Sequence, residues 1–252
     1  MIAKPYNTKV LIAEDNEFNA RFLRAALDSL GAVCDIAQNG QIALEMARVK
    51  NYDIIFMDCQ MPVMDGYTAT MNIRKLSKPF CDTPIIAISA NVVTDEMEKC
   101  IASGMNDCLE KPVELSDLEE IFAKFPCSKA NSVETISVVN EMSKRNLVFE
   151  EAVENLMIHM RFFYEQASDL MEEYVKTASE IIVKMELAAI GEDYDEIARL
   201  AHQIKGISCN MRLKEYQRMG TEIEKMSKNR NELVSNEIIK LKHIFHDDFG
   251  QQ

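Results

Sequence analysis

The sequence predicts an α/β half, a doubly wound sheet of five parallel strands, followed by an all-α half built as a four-helix bundle. Three observations predict it. Up to about residue 125, short continuous apolar runs bounded by turn residues alternate with segments of helical spacing. Such runs read as strands buried on both faces, which is the mark of a parallel sheet. All 6 prolines lie at or before Pro126, and beyond it glycine is sparse among long stretches of helix-forming residues. The third observation is length, since 252 residues give room for two ordinary domains.

The strands are read in order as Val10 to Ala13, Cys34 to Ala37 after a helix stop at Gly31, Ile54 to Met57, Pro84 to Ile88, and Cys108 to Glu110. Helical spacing covers roughly Asn16 to Leu30, Gln41 to Lys50, Tyr67 to Ser77, Asp95 to Ser103 and Ser116 to Lys124. The last of these opens on Ser116 and Glu119, a capping-box spacing that would satisfy free amides at a helix start. Five βα units with right-handed crossovers build a doubly wound sheet, whose working crevice lies at the carboxyl ends of the strands. Glu14, Asp15, Asp58, Ser89 and Lys111 all stand at such ends and are therefore expected to converge.

Singly, each of these residues has an ordinary explanation as a cap, a turn or a loop residue. Together they make chemical sense. Carboxylates crowded into one crevice repel by roughly 4 kcal/mol per pair at 4 Å with an effective dielectric near 20, so they call for a cation. Magnesium fits, because it takes oxygen ligands and keeps waters that phosphoryl oxygens can replace. Asp58 could then attack a phosphoryl group in line, with the Lys111 ammonium and the Ser89 hydroxyl meeting charge on the equatorial oxygens.

The segments IAEDNEFN, MDCQMPVMDG, PIIAISAN and CLEKP resemble response-regulator receiver domains of the kind found in hybrid sensor kinases, over about Lys9 to Phe125. The resemblance implies a flavodoxin-like fold with Asp58 as phosphoacceptor. It further implies magnesium held by Asp15, Asp58 and the Gln60 carbonyl, with Glu14 supporting the metal through water, and Ser89 and Lys111 as the phosphoryl-sensing pair. One position departs from the pattern: the aromatic residue often found three places before the lysine is Cys108 here. That suits a relay module better than a regulator with aromatic-coupled output.

In the second half, helical patterns run through Phe149 to Met160, Phe162 to Ile190, Asp193 to Arg212, Lys214 to Asn229 and Asn231 to His246. On the third of these, Asp193 and Glu196 have capping-box spacing. At about 100° per residue, Ile197, Leu200, Ala201, Ile204, Ile207 and Met211 form one apolar stripe, and His202 falls roughly 160° from its middle. His202 is thus expected to face out of the bundle. Ala198 and Gly206, four residues to either side, leave the imidazole unobstructed, and Arg199 and Lys205 would offset the charge of a phosphorylated ring. Gly206 costs about 1 kcal/mol against Ala in mid-helix, which suggests close approach of another surface.

Ala201-His202-Gln203-Ile204-Lys205-Gly206 is similar to the signature of histidine phosphotransfer (HPt) domains, over about Asn146 to Phe249. The resemblance implies that His202 is a phosphoacceptor, Lys205 its positive neighbour, and Gly206 the residue that gives access. Arg212 stands where many members have glycine. The expected organisation is a receiver domain at 8–126, a linker at 127–146 within which Ile136 to Val139 could dock, and an HPt domain at 147–249.

The net charge of −13, with an acid excess in both halves, argues against a nucleic-acid partner. No signal peptide and no apolar run of about 18 residues is present, so a soluble cytoplasmic protein without membrane insertion is expected. The 7 cysteines read as reduced thiols. His243 and His246 near Asp247 and Asp248 read as an exposed terminal helix in preference to a metal site. With no ATP-binding domain and no Walker loop, the chain is expected to be a phosphotransfer protein and not itself a kinase. Its donor would be a separate sensor histidine kinase, or the chain would be the C-terminal part of a hybrid one; a downstream response regulator is the second expected partner. Two alternatives stand beside this: a non-catalytic switch or phosphate sink, and an aspartyl-phosphate hydrolase, which is disfavoured because Gln60 stands where its second aspartate would be.

Overall fold

The computed structural model describes residues 8–89, 94–126, 147–162 and 164–250. The expected linker at 127–146 and residues Ala90 and Asn91 lie outside the described residues. The chain forms two compact units, one up to Val138 and one from Val139.

In the first unit the strands are β1 (Lys9–Ala13), β2 (Val33–Ala37), β3 (Ile54–Asp58), β4 (Ile85–Ser89) and β5 (Asp107–Glu110), all parallel and ordered β2-β1-β3-β4-β5. β3 and β4 are buried throughout their length, as continuous apolar runs require of central strands covered on both faces. The helices are α1 (Glu17–Ser29), α2 (Gly40–Val49), α3 (Gly66–Ile73), α4 (Thr94–Ser103) and α5 (Leu115–Lys124). Asn16, Asn39 and Asp65 cap α1, α2 and α3, each accepting a backbone N–H three residues on.

Two local expectations need correction. α5 starts one residue early, and its capping box is Glu114 with Asp117, whose carboxylate accepts the Glu114 N–H at 2.8 Å; Ser116 and Glu119 are not that pair. α3 ends at Ile73 and not at Ser77, because the chain leaves the helix through Arg74 into a short 3-10 turn at Phe80–Asp82 that sequence spacing did not reveal. The freed Arg74 side chain donates to the carbonyls of Gly104, Cys81 and Thr83 and to Asn106 Oδ1, tying the loops before β4 and β5 together. Arg can do this because its guanidinium is a rigid planar fork of donors.

The second unit holds α6 (Leu147–Met160), α7 (Tyr164–Ile190), α8 (Tyr194–Asn210), α9 (Lys214–Lys228) and α10 (Val234–Phe249). α7 to α10 pack as a four-helix bundle with α6 laid on α7. Its core is contributed by the expected α8 stripe, with Ile197, Ala201, Ile207 and Met211 fully buried, together with Met185, Ile223 and Leu241 from the other helices. A ring cluster of Tyr174, Tyr216, Phe245 and Phe249 closes one end, where the Tyr216 hydroxyl donates to Asp248 at 2.5 Å. α10 runs to Phe249, three residues past the expected end, because Phe249 is buried in this cluster.

Candidate functional sites

The first site lies at the carboxyl ends of β1, β3, β4 and β5. Asp58 ends β3, Ser89 ends β4, Glu14 and Asp15 follow β1, and Lys111 follows β5 with its N–H donating to the Ser89 carbonyl at 2.8 Å. The parallel register thus brings together residues far apart in sequence. One oxygen each from Glu14, Asp15 and Asp58 lies within 4.8 Å of the others. Lys111 Nζ reaches Asp58 Oδ2 at 2.7 Å and Glu14 Oε2 at 2.9 Å, with only 8% of its side chain exposed. The Gln60 N–H donates to the other Asp58 oxygen at 2.8 Å.

These contacts set the electrostatics. Burial raises the Glu14 carboxyl to about 8, since the Lys111 charge that opposes it is shared with Asp58, whose own charge adds to the rise. Asp58 is equally buried, but Lys111 and the hydrogen bonds from Glu14, Lys111 and Gln60 outweigh desolvation and hold its carboxyl low. Desolvation opposes the Lys111 charge, yet the two carboxylates push its ammonium above the ordinary lysine range. Asp58 is therefore the ionised member of the pair.

Close approach fixes the loop behind Asp58. A Cβ on Gly66 would stand 2.2 Å from the Asp58 carbonyl oxygen, and one on Gly40 would stand 2.5 Å from that of Met64. Only glycine lets the starts of α3 and α2 press against the β3–α3 loop so tightly. Cys59, next to Asp58, lies with its Sγ 3.9 Å from that of Cys100, both buried as free thiols.

The second site is on α8. Asp193 caps that helix, accepting the Glu196 N–H at 3.0 Å, while the Glu196 carboxylate is taken by Arg199. The expected Asp193–Glu196 pairing is thus present in its capping half. His202 is 35% exposed, partly outward as the stripe required, and its Nδ1 lies 3.3 Å from Glu224 Oε1 on α9. Glu224 also meets Lys228 at 2.6 Å and Lys205 at 3.8 Å. Burial would raise the Glu224 carboxyl, but the bonds to His202 and Lys228 and the Lys205 charge prevail and hold it at about 2.

α8 and α9 approach each other closely at a glycine. A Cβ on Gly220 of α9 would meet the Lys205 amide at 3.0 Å and the Ala201 carbonyl at 3.1 Å, so α8 and α9 touch beside His202 through Gly220. Glu224, one turn along α9, is the site residue that sequence reasoning missed. The available signal was its place beside the buried Tyr216, Gly220, Ile223 and Ser227 face, where a charge needs partners. At Arg212 the backbone turns left-handed, with φ at 58°. That is the conformation a glycine favours and explains the family preference at this place.

The family model of the response regulator receiver domain matches residues 10–123, and that of the Hpt domain matches residues 169–247. Hybrid signal transduction histidine kinase G of Dictyostelium discoideum is 42% identical over 126 residues, which are 49% of this chain and 4% of that protein. Aerobic respiration control sensor protein ArcB of Escherichia coli K12 is 27% identical over 215 residues, 85% of this chain and 27% of that one. The chain thus spans a small part of the curated relatives it matches. Among solved structures, the receiver domain of sensor histidine kinase PA1611 from Pseudomonas aeruginosa, crystallised with magnesium in its active-site cleft, is 38% identical. It covers 47% of this chain and 96% of its own, with a TM-score of 0.45. Among the described residues no helix is long and apolar enough to cross a membrane. The chain carries a response regulator receiver domain over residues 10–123 followed by an Hpt domain over residues 169–247.

Proposed function

We propose that the chain is a two-component phosphorelay protein in which Asp58 accepts a phosphoryl group from the phosphohistidine of a sensor histidine kinase, and His202 passes phosphoryl to or from a receiver aspartate. The proposed organisation is a receiver domain at 8–126, a linker at 127–146 and an HPt domain at 147–249. The observation that carries the reading is the pairing of two acceptor sites of complementary chemistry in one chain. One is a buried aspartate held ionised by Lys111; the other is a partly exposed histidine backed by a carboxylate.

In the first site, an Asp58 oxygen attacks phosphorus as the phosphorus–nitrogen bond breaks; the leaving imidazole keeps the electron pair and takes a proton from solvent. Lys111 meets charge on the transferred oxygens, and Ser89 offers its hydroxyl to one of them. Glu14, Asp15 and Asp58 offer carboxylate oxygens, and with the Gln60 carbonyl that the family resemblance adds, the donor set would be all oxygen, which fits magnesium. Bound there, the ion would neutralise charge between the acceptor and the incoming phosphoryl oxygens. In the second site, Glu224 accepts from Nδ1–H and so favours the tautomer whose lone pair is on Nε2, the nitrogen left to attack. Lys205 and, alongside it, Arg199 supply positive charge, while Gly206 keeps the approach open.

The partners that follow are a histidine kinase upstream and a response regulator receiver downstream. The test is to load the full chain with labelled acetyl phosphate or a phosphohistidine donor in magnesium, and to follow label stability in acid and base. Asp58→Asn should abolish base-labile label and His202→Gln any base-stable label. Unchanged labelling in both variants would refute the scheme.

A further inference from the structure

Glu14 is held from two directions. Its Oε2 takes the Lys111 ammonium at 2.9 Å, while its Oε1 takes the Asn19 side-chain amide at 3.1 Å and the Asn16 N–H at 3.3 Å. Asn19 sits in the first turn of α1 with 5% exposure, and its own N–H donates to the capping oxygen of Asn16 at 3.1 Å. Asparagine is a weak helix former, and a buried amide is costly unless bonded. Its presence there has a physical reason in the bond to Glu14. The helix cap fixes the Asn19 backbone, and the Asn19 amide in turn fixes one oxygen of the carboxylate.

We infer that Asn19 is a positioning residue of the phosphoacceptor crevice, anchoring Glu14 to α1 so that its second oxygen stays toward Lys111 and the metal-binding carboxylates. Without that anchor the Glu14 carboxylate can turn and offer both oxygens to Lys111, drawing the ammonium away from Asp58. The crevice would then lose its preset arrangement for a divalent cation. A neutral amide suits the task because it adds a donor without adding another carboxyl group to the three already present. The inference rests on the reading of Asp58 as a magnesium-dependent phosphoacceptor.

The experiment measures magnesium binding to the full chain by titration calorimetry, and the magnesium dependence of labelling by acetyl phosphate, in parent, Asn19→Ala and Asn19→Leu. Leucine keeps the volume and removes the donor, so it serves should the alanine variant fail to fold. The expected result is a magnesium dissociation constant raised roughly tenfold, as for loss of a group that orients a metal ligand, with the labelling rate recovering at saturating magnesium. A merely structural role would lower stability and plateau rate together and leave the magnesium constant at the parental value, which would overturn the inference. If the parent itself neither bound magnesium nor took label at Asp58, the function reading would fall with it. Parental binding and labelling combined with unaltered variants would sink the role of Asn19 alone.

Discussion

Gly66→Ala offers a sharp test of how Asp58, the proposed phosphoacceptor, is placed. The added methyl would stand 2.2 Å from the Asp58 carbonyl oxygen and 2.9 Å from Met57 Cγ. An ordinary carbon–oxygen contact is longer by about 1 Å, and the obstructing atom is backbone, so no side-chain rotation relieves it. The relief must come from moving the start of α3 or the end of β3. β3 is locked on both sides by ladders to β1 and β4, so the displacement falls on the Asp58 to Gly66 loop. Overpacking of this kind costs about 1–3 kcal/mol, and a shift near 1 Å at a reacting group costs on the order of 100-fold in rate. Loading by acetyl phosphate in magnesium, with urea unfolding of the same sample, reads both quantities. A variant that loads at the parental rate with parental stability would refute the claim that this glycine sets the position of Asp58.

Other consequences are as direct. Glu224 has its carboxyl lowered from the ordinary 4.5 to about 2 in the folded chain. Its contribution to stability is therefore present above pH 4.5 and lost as pH falls toward 2; an acid titration followed by circular dichroism should show a parental excess over Glu224→Gln that disappears in that window. The same substitution should slow His202 phosphorylation by a receiver phosphoaspartate while leaving Asp58 loading unchanged, measured by base-stable label. Arg74→Lys removes a planar fork that serves four acceptors, and should lower stability by roughly 1–3 kcal/mol in urea unfolding, with each lost bond worth about 1 kcal/mol. Lys111→Ala should leave metal binding measurable by calorimetry but sharply reduce the loading rate, because the charge that meets the transferred phosphoryl is gone.

Local chemistry made much of this protein legible from its chain. Apolar runs such as Ile54 to Met57 can only be satisfied as buried strands, and their ends place Glu14, Asp58, Ser89 and Lys111 at one crevice by the rule of doubly wound sheets. Likewise, the 3.6-residue period alone turns His202 away from the α8 stripe. The sequence by itself therefore determined the two folds, the order of their elements and the residues proposed as acceptors. Tertiary structure decided who stands beside those acceptors. Glu224 meets His202 across 22 positions of sequence, and Lys111 meets Glu14 across 97, because separate elements pack there. Asn19 behind Glu14, Gly220 at the α8–α9 contact, and Arg74 joining two loops belong to the same class. A residue's type and spacing fix which face of its own helix or strand it occupies, but its partners on another element depend on packing distances of a few ångströms, which periodicity does not encode.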